Sequence, residues 1–272
     1  MRVRIETPAG PTSLHYDLPE SQAPGTTPLV VLAHGAGSDM HAPALARTAQ
    51  AIAAAGFAAC RFNFAYREAG RRLPDRMPAL VACYAAVLDH VRSDPALAPP
   101  AIAIGGRSLG GRTAAHLAAA GAAVDALVLL SFPLHPAGRP GPARAAHLAA
   151  VSVPMLFVSG TRDALAEWAL LEPLVRALPT ATLHAIEGAD HALALPKRVR
   201  PPEAVAREVD EAVVSWLGRL FDRARPPTDG PSAPGRNPRR AGRRRARPAW
   251  PSRWRPRDAA SRGSRRPPPA RP

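Results

Sequence analysis

The chain has 272 residues, 46% of them hydrophobic, which is enough to bury a substantial core in one large domain or two small ones. Its formal charge of +15 points to a nucleic-acid-binding protein only until its distribution is read. Residues 226–272 carry fourteen arginines against two aspartates, a local +12, so residues 1–225 keep only +3 and form an ordinary, nearly balanced globular segment.

At the N-terminus, Met1–Gly10 is charged and short of apolar residues, so it lacks the hydrophobic stretch that export requires. No run approaches the roughly 18 uninterrupted apolar residues of a membrane span, and a cytoplasmic protein is expected. Two short alternating stretches, Val3–Ile5 and Leu14–Tyr16, flank the turn-forming Pro8-Ala9-Gly10-Pro11 and predict a hairpin at a sheet edge. Six compact apolar runs follow: Leu29–Ala33, Phe57–Phe62, Ala101–Ile104, Ala126–Leu130, Met155–Val158 and Thr182–Ile186. Each has the length of a buried strand.

Segments of helical period lie between these runs. In the clearest, Met77, Leu80, Val81, Tyr84, Val87, Leu88 and Val91 fall on one stripe. Continuous apolar strands alternating with helices predict a three-layer α/β/α fold, a mostly parallel sheet covered on both faces with the N-terminal hairpin as its antiparallel edge. Phe132–Val151, with a short helical piece at Ala143–Ala149, is too short for a large lid. Cys60 lies in an apolar run and Cys83 on a helical stripe, so both are expected as buried thiols. An amphipathic helix from Val205 to Leu220 closes an expected domain of residues 1–222. Beyond it, an Arg- and Pro-rich tail, 223–272, is expected to be disordered: residues 226–272 contain twelve prolines and no Leu, Ile, Val or Phe.

The chemistry centres on Gly105-Gly106-Arg107-Ser108-Leu109-Gly110-Gly111-Arg112, which follows the run Ala101–Ile104 and precedes small and apolar residues suited to a helix. Gly106-x-Ser108-x-Gly110 is a nucleophile elbow in strand-turn-helix context: the turn is tight enough to strain the serine and to exclude Cβ atoms two positions either side. A serine hydroxyl needs a base held by an acid, which this motif places later in the chain, each at the end of a strand. Asp163 follows Met155–Val158 and His191 follows Thr182–Ile186, in the required order. Leu109 and Ala36, the latter within His34-Gly35-Ala36-Gly37, are the candidate amide donors for an oxyanion.

These residues resemble the α/β-hydrolase superfamily. More narrowly they resemble its dienelactone-hydrolase-like branch and the predicted hydrolases related to the chromatin NSL-complex subunit three. The narrower likeness rests on His34-Gly35-Ala36-Gly37, Arg61-Phe62-Asn63-Phe64, Gly105–Arg112, Pro133-Leu134-His135-Pro136, Gly160-Thr161-Arg162-Asp163 and Asp190-His191. It covers roughly residues 1–222 and implies a Ser108–His191–Asp163 triad acting on an ester-like acyl substrate. Dienelactone hydrolases proper carry cysteine at the elbow, where this chain has Ser108.

Other readings of the same residues stay open. Ser108 could be a helix N-cap, Asp163 an Asx-turn residue, and Asp190 the acid in its place. His34, Arg107 and His135 are candidate substrate contacts, although His34 also sits where it would brace the oxyanion loop. Arg107 and Arg112 flank the elbow, suited either to an anionic substrate group or to pairing with carboxylates of the body. No cofactor is expected, and no His, Cys or carboxylate cluster has metal-ligand spacing. A second class of function is a catalytically silent scaffold of the same fold. The tail, with Trp250 and Trp254 among its arginines, could bind nucleic acid or an anionic surface, be an inert appendage, or be read-through sequence.

Overall fold

A computed structural model describes residues 2–222, and the expected tail of 223–272 lies outside the described residues. The predicted hairpin forms from β1 (Arg2–Ile5) and β2 (Thr12–Asp17), joined through Thr7 and Gly10, whose backbones bond each other at 3.0 and 3.2 Å. Six further strands follow the six apolar runs: β3 (Leu29–Ala33), β4 (Ala58–Phe62), β5 (Ile102–Arg107), β6 (Ala126–Leu130), β7 (Met155–Gly160) and β8 (Ala181–Ile186). They form one eight-stranded sheet in the order β1-β2-β4-β3-β5-β6-β7-β8. The pairings β1/β2 and β2/β4 are antiparallel and the rest parallel.

Alternation along the strands builds a core on each face, because successive side chains point to opposite sides. Leu29, Val31 and Ala33 join the face covered by α3 (Met77–Ser93), α4 (Leu109–Ala119) and α5 (Trp168–Arg176). Val30 and Leu32 join the face covered by α1 (Pro43–Ala54) and α6 (Pro202–Asp222). A one-turn helix, α2 (Ala65–Glu68), follows β4. Cys60 and Cys83 are free and buried. Among the described residues no helix is long and apolar enough to cross a membrane.

Two elements differ from the sequence expectation. β8 is the edge of the sheet opposite β1, and of its six residues only Ile186 is buried, since a strand paired on one side alone leaves part of its face to solvent. The helical piece expected at Ala143–Ala149 is a 3-10 helix at Ala146–Ala150. It lies in the link from β6 to β7, which carries no longer helix, in keeping with the absence of a large lid.

The strand order positions the site. β3 has β4 on one side and β5 on the other, and the helices that follow β3 and β5 go to opposite faces. Such a divergence opens a crevice at the carboxyl ends of the two strands. The His34–Gly37 loop and Ser108 both leave their strands there.

Candidate active site

Ser108 follows the last residue of β5 and caps α4 with φ 48° and ψ −109°, a left-handed conformation that costs an L-residue energy and lifts its side chain out of the turn. The neighbouring glycines explain why the chain tolerates it. A Cβ on Gly106 or Gly110 would sit 2.2 Å from the carbonyl oxygen of Ala33, so the elbow rests directly on the end of β3. Beneath it, the buried Tyr84 hydroxyl lies 2.7 Å from Val31 O and 2.8 Å from Gly105 O and accepts the Gly105 N–H at 2.9 Å, tying β3 to β5. Sequence reasoning placed Tyr84 only on an apolar stripe, and only the fold reveals what its hydroxyl holds.

His191 Nε2 is 2.9 Å from Ser108 Oγ, and His191 Nδ1 is 2.8 Å from Asp163 Oδ2. The Asp163 side chain is fully buried and that of His191 is 28% exposed, so the imidazole reaches solvent while the carboxylate is walled off from water. A carboxylate accepts only, so Nδ1 carries the proton and Nε2 is left to accept from the serine. Asp163 also accepts the Leu165 N–H on Oδ1 at 2.8 Å. It is therefore an Asx-turn residue and a histidine partner at once, one oxygen for each. Asp190, the rival acid, turns away: its Oδ1 accepts the amides of Ala192 and Ala194 at 2.7 and 3.1 Å and shapes the loop that carries His191. A Cβ on Gly160 would lie 2.2 Å from Ala189 O, so the turn bearing the acid packs against the loop bearing the histidine.

The His34–Gly37 loop runs alongside. Gly35 approaches the elbow closely enough that a Cβ there would meet Ser108 Cβ at 3.7 Å, and Gly37 turns the chain with φ 70°. Among the described residues the amides of Ala36 and Leu109 donate to no protein acceptor.

Two candidate substrate contacts are corrected. His34 and His135 are each 1% exposed. His34 donates from Nδ1 to Gly35 O at 2.8 Å and accepts the Phe64 N–H on Nε2 at 3.1 Å, so it braces the loop and has no nitrogen left for a substrate. Burial pushes its pKa down to about 4. His135 is used in the same way, between Pro136 O at 3.0 Å and the Glu167 N–H at 3.4 Å. Arg107 is half-buried, and its guanidinium donates to the backbone carbonyl of His191 at 3.0 Å, linking the elbow to the base from behind. It also lines a cavity of about 200 Å³ with Leu130, Leu193, Leu195, Val205 and Val209, on the far side of the His191 loop. Arg61 and Asn63 are further residues whose roles the sequence did not disclose. Arg61 pairs with Asp17 at 2.8 Å and donates to Met40 O at 2.6 Å, while Asn63 accepts the Met40 N–H at 2.8 Å, so together they fix the chain just after the His34–Gly37 loop. Among the described residues no three His, Cys, Asp or Glu side chains are grouped to hold a metal ion.

Comparison with solved structures returns the same architecture. An α/β serine hydrolase homologue from Coxiella burnetii superposes with a TM-score of 0.63 at 20% identity, over 80% of this chain and 97% of its own. Dienelactone hydrolase from Anabaena variabilis gives 0.62 at 21%, over 82% and 96%. A cold-adapted esterase from an Arctic intertidal metagenomic library gives 0.61 at 17%, over 80% and 92%. At these identities the likeness is one of fold. Residues 26–216 match the alpha/beta hydrolase domain model, well over half of the chain, and with the sheet order and elbow described above the protein belongs to the alpha/beta hydrolase family.

Proposed function

We propose that this chain is a serine hydrolase of the esterase type, which cleaves an ester, thioester or small amide through an acyl-enzyme on Ser108. The observation that carries the reading is the continuous hydrogen-bond chain from Ser108 Oγ through His191 to Asp163, at 2.9 and 2.8 Å, at the mouth of the crevice. The activities named for the structural neighbours agree with it.

In this reading His191 Nε2 takes the serine proton as Oγ attacks the substrate carbonyl, and Asp163 stabilises the resulting imidazolium without itself being protonated. The negative charge that develops on the carbonyl oxygen meets the free amides of Ala36 and Leu109 and the N-terminal end of α4. The imidazolium returns its proton to the leaving group as the tetrahedral species collapses. Water, deprotonated by the same nitrogen, then releases the acyl group and restores Ser108. Arg107 acts as a positioning residue by fixing the backbone of the base.

The test is covalent labelling of the folded full-length chain with a fluorophosphonate, alongside turnover of p-nitrophenyl esters of increasing acyl length. Ser108→Ala is expected to abolish labelling and to lower kcat by roughly 10⁴ or more, the scale of triad knockouts elsewhere. A Ser108→Ala protein that keeps its turnover would overturn the assignment. A folded parent that neither labels nor turns over any ester would make the domain a scaffold.

A further inference from the structure

The segment that runs from the start of β5 to the turn bearing Asp163 has an unbalanced charge. Between Asp94 and Asp163 the chain holds a single acid, Asp125, against five arginines at 107, 112, 139, 144 and 162. Asp125 accepts the Ile102 N–H at 2.7 Å at the start of β5, the end of the sheet away from Ser108, so it neutralises nothing near the elbow.

Arg112 lies one helical turn beyond the serine, its N–H donating to Ser108 O at 2.9 Å. The guanidinium side chain therefore springs from the backbone one turn from the nucleophile. α4 packs against the 3-10 helix Ala146–Ala150, where the rings of His116 and His147 stack at 3.7 Å and 14°. The same loop brings Arg144, which donates to His135 O at 3.2 Å. Among the described residues neither Arg112 nor Arg144 forms an ion pair, and Arg112 Nε and His147 Nε2 are buried with no hydrogen-bond partner. Burial and the charge of Arg144 depress the pKa of Arg112, and burial followed by the charges of His116 and Arg112 brings that of His147 down to about 4. At neutral pH two arginine charges therefore stand beside a neutral imidazole stack. Half-buried cations that repel each other and lack a carboxylate are a site for an external anion, and the planar guanidinium fork matches an oxyanion group.

Building on the serine-hydrolase reading, we propose that the substrate carries a carboxylate or phosphate on its acyl side, held by Arg112 and Arg144 at the wall formed by α4 and the Ala146–Ala150 helix. Arg107, tied to the His191 carbonyl, is not part of this cluster.

Two measurements on the full-length chain test the proposal. The first is the ratio of kcat/KM for p-nitrophenyl hemiglutarate over the neutral p-nitrophenyl butyrate. It is expected to exceed one in the parent and to fall by about tenfold or more in Arg112→Gln and in Arg144→Gln, with Arg112→Lys recovering part of it. The second does not depend on turnover. Calorimetric titration of Ser108→Ala protein with succinate and with inorganic phosphate is expected to show binding of at least one, weakened about tenfold by adding Arg112→Gln, and the tighter of the two identifies the group. Circular dichroism confirms that each variant is folded. A ratio unchanged by both substitutions, or titrations in which neither anion binds, would overturn the anion pocket. Loss of all ester turnover with anion binding intact would instead strike at the hydrolase reading alone.

Discussion

His34 provides a quantitative link between the site loop and the stability of the fold. In the native state the ring is 1% exposed and bonded on both sides, and its pKa is pushed down to about 4, whereas the unfolded chain returns it to the ordinary histidine value of about 6.5. The depressed native value sets the sign. Above pH 6.5 both states are neutral at this residue and the native state keeps its full stability. As pH falls below 6.5 the unfolded chain takes up a proton that the native protein refuses, and stability declines until the native ring itself titrates near pH 4. The full difference corresponds to about 3 kcal/mol, of which about 2 kcal/mol is already lost at pH 5. His34→Gln keeps a donor and an acceptor but has nothing to protonate. The variant should be less stable than the parent at pH 7, because the amide cannot reproduce both the Gly35 and Phe64 contacts. By pH 5 the gap should have narrowed by about 2 kcal/mol. Urea unfolding of both proteins at pH 7, 6 and 5 measures the gap, and titrations common to the two proteins cancel in the difference. A gap that stays constant to within about 0.5 kcal/mol across that range would refute the idea that His34 is held neutral, and with it the brace.

Other perturbations probe separate parts of the structure. Asp163→Asn would turn an amide N–H toward His191 Nδ1 and drive the imidazole to the tautomer that cannot take the serine proton; ester kcat should fall by about 10³–10⁴ with little change in melting temperature, and a loss below tenfold would remove Asp163 from the machinery. Gly110→Ala would place a Cβ 2.2 Å from Ala33 O and 2.5 Å from Ala33 C, with only backbone to yield, so a loss of about 3 kcal/mol or more is expected in urea unfolding, and a stable variant would mean that the elbow does not rest on β3 as described. Asp210 clamps α6 to α1 by accepting from Arg47 Nε and Thr48 Oγ1, each at 2.7 Å. Because Arg47 is well exposed, Asp210→Ala should cost about 1–2 kcal/mol, coming chiefly from the stranded Thr48 hydroxyl, visible as a lower urea midpoint at unchanged slope. Burial raises the thiol pKa of Cys83 to about 11 and that of Cys60 further, so neither should react with a thiol reagent at pH 8 until the protein unfolds; rapid labelling of either in the native state would contradict its burial.

The order and type of the elements were legible from sequence because they rest on local regularities. The stripe from Met77 to Val91 has a 3.6-residue period, and the runs from Leu29 to Ile186 are continuously apolar over the length of a strand; any short window contains both signals. The elbow was legible for the same reason, since Gly106, Ser108 and Gly110 act on one another across a single turn. Relationships that depend on distant chain were not. That β8 would be an exposed edge follows from which strands pair, and no window of β8 records it. A sequence shows a side chain's chemistry but not its burial: it leaves His34 open as either a brace or a substrate contact and His135 as a substrate contact, and the fold buries both with their ring nitrogens engaged. The choice between Asp163 and Asp190 was likewise tertiary: adjacency in the chain pulls Asp190 onto the amides of its own loop, while Asp163, twenty-eight positions away, faces the imidazole.

By itself, then, the sequence determined the strand and helix periodicity, the strained serine turn and the order of its partner residues, because all of these are written in nearest-neighbour sterics and patterning. Only the folded chain decided which charges find a partner. Arg61 meets Asp17 and Arg107 meets the His191 carbonyl, while Arg112 and Arg144 meet no acid among the described residues, because pairing at ångström distances depends on how remote segments pack and not on their spacing along the chain.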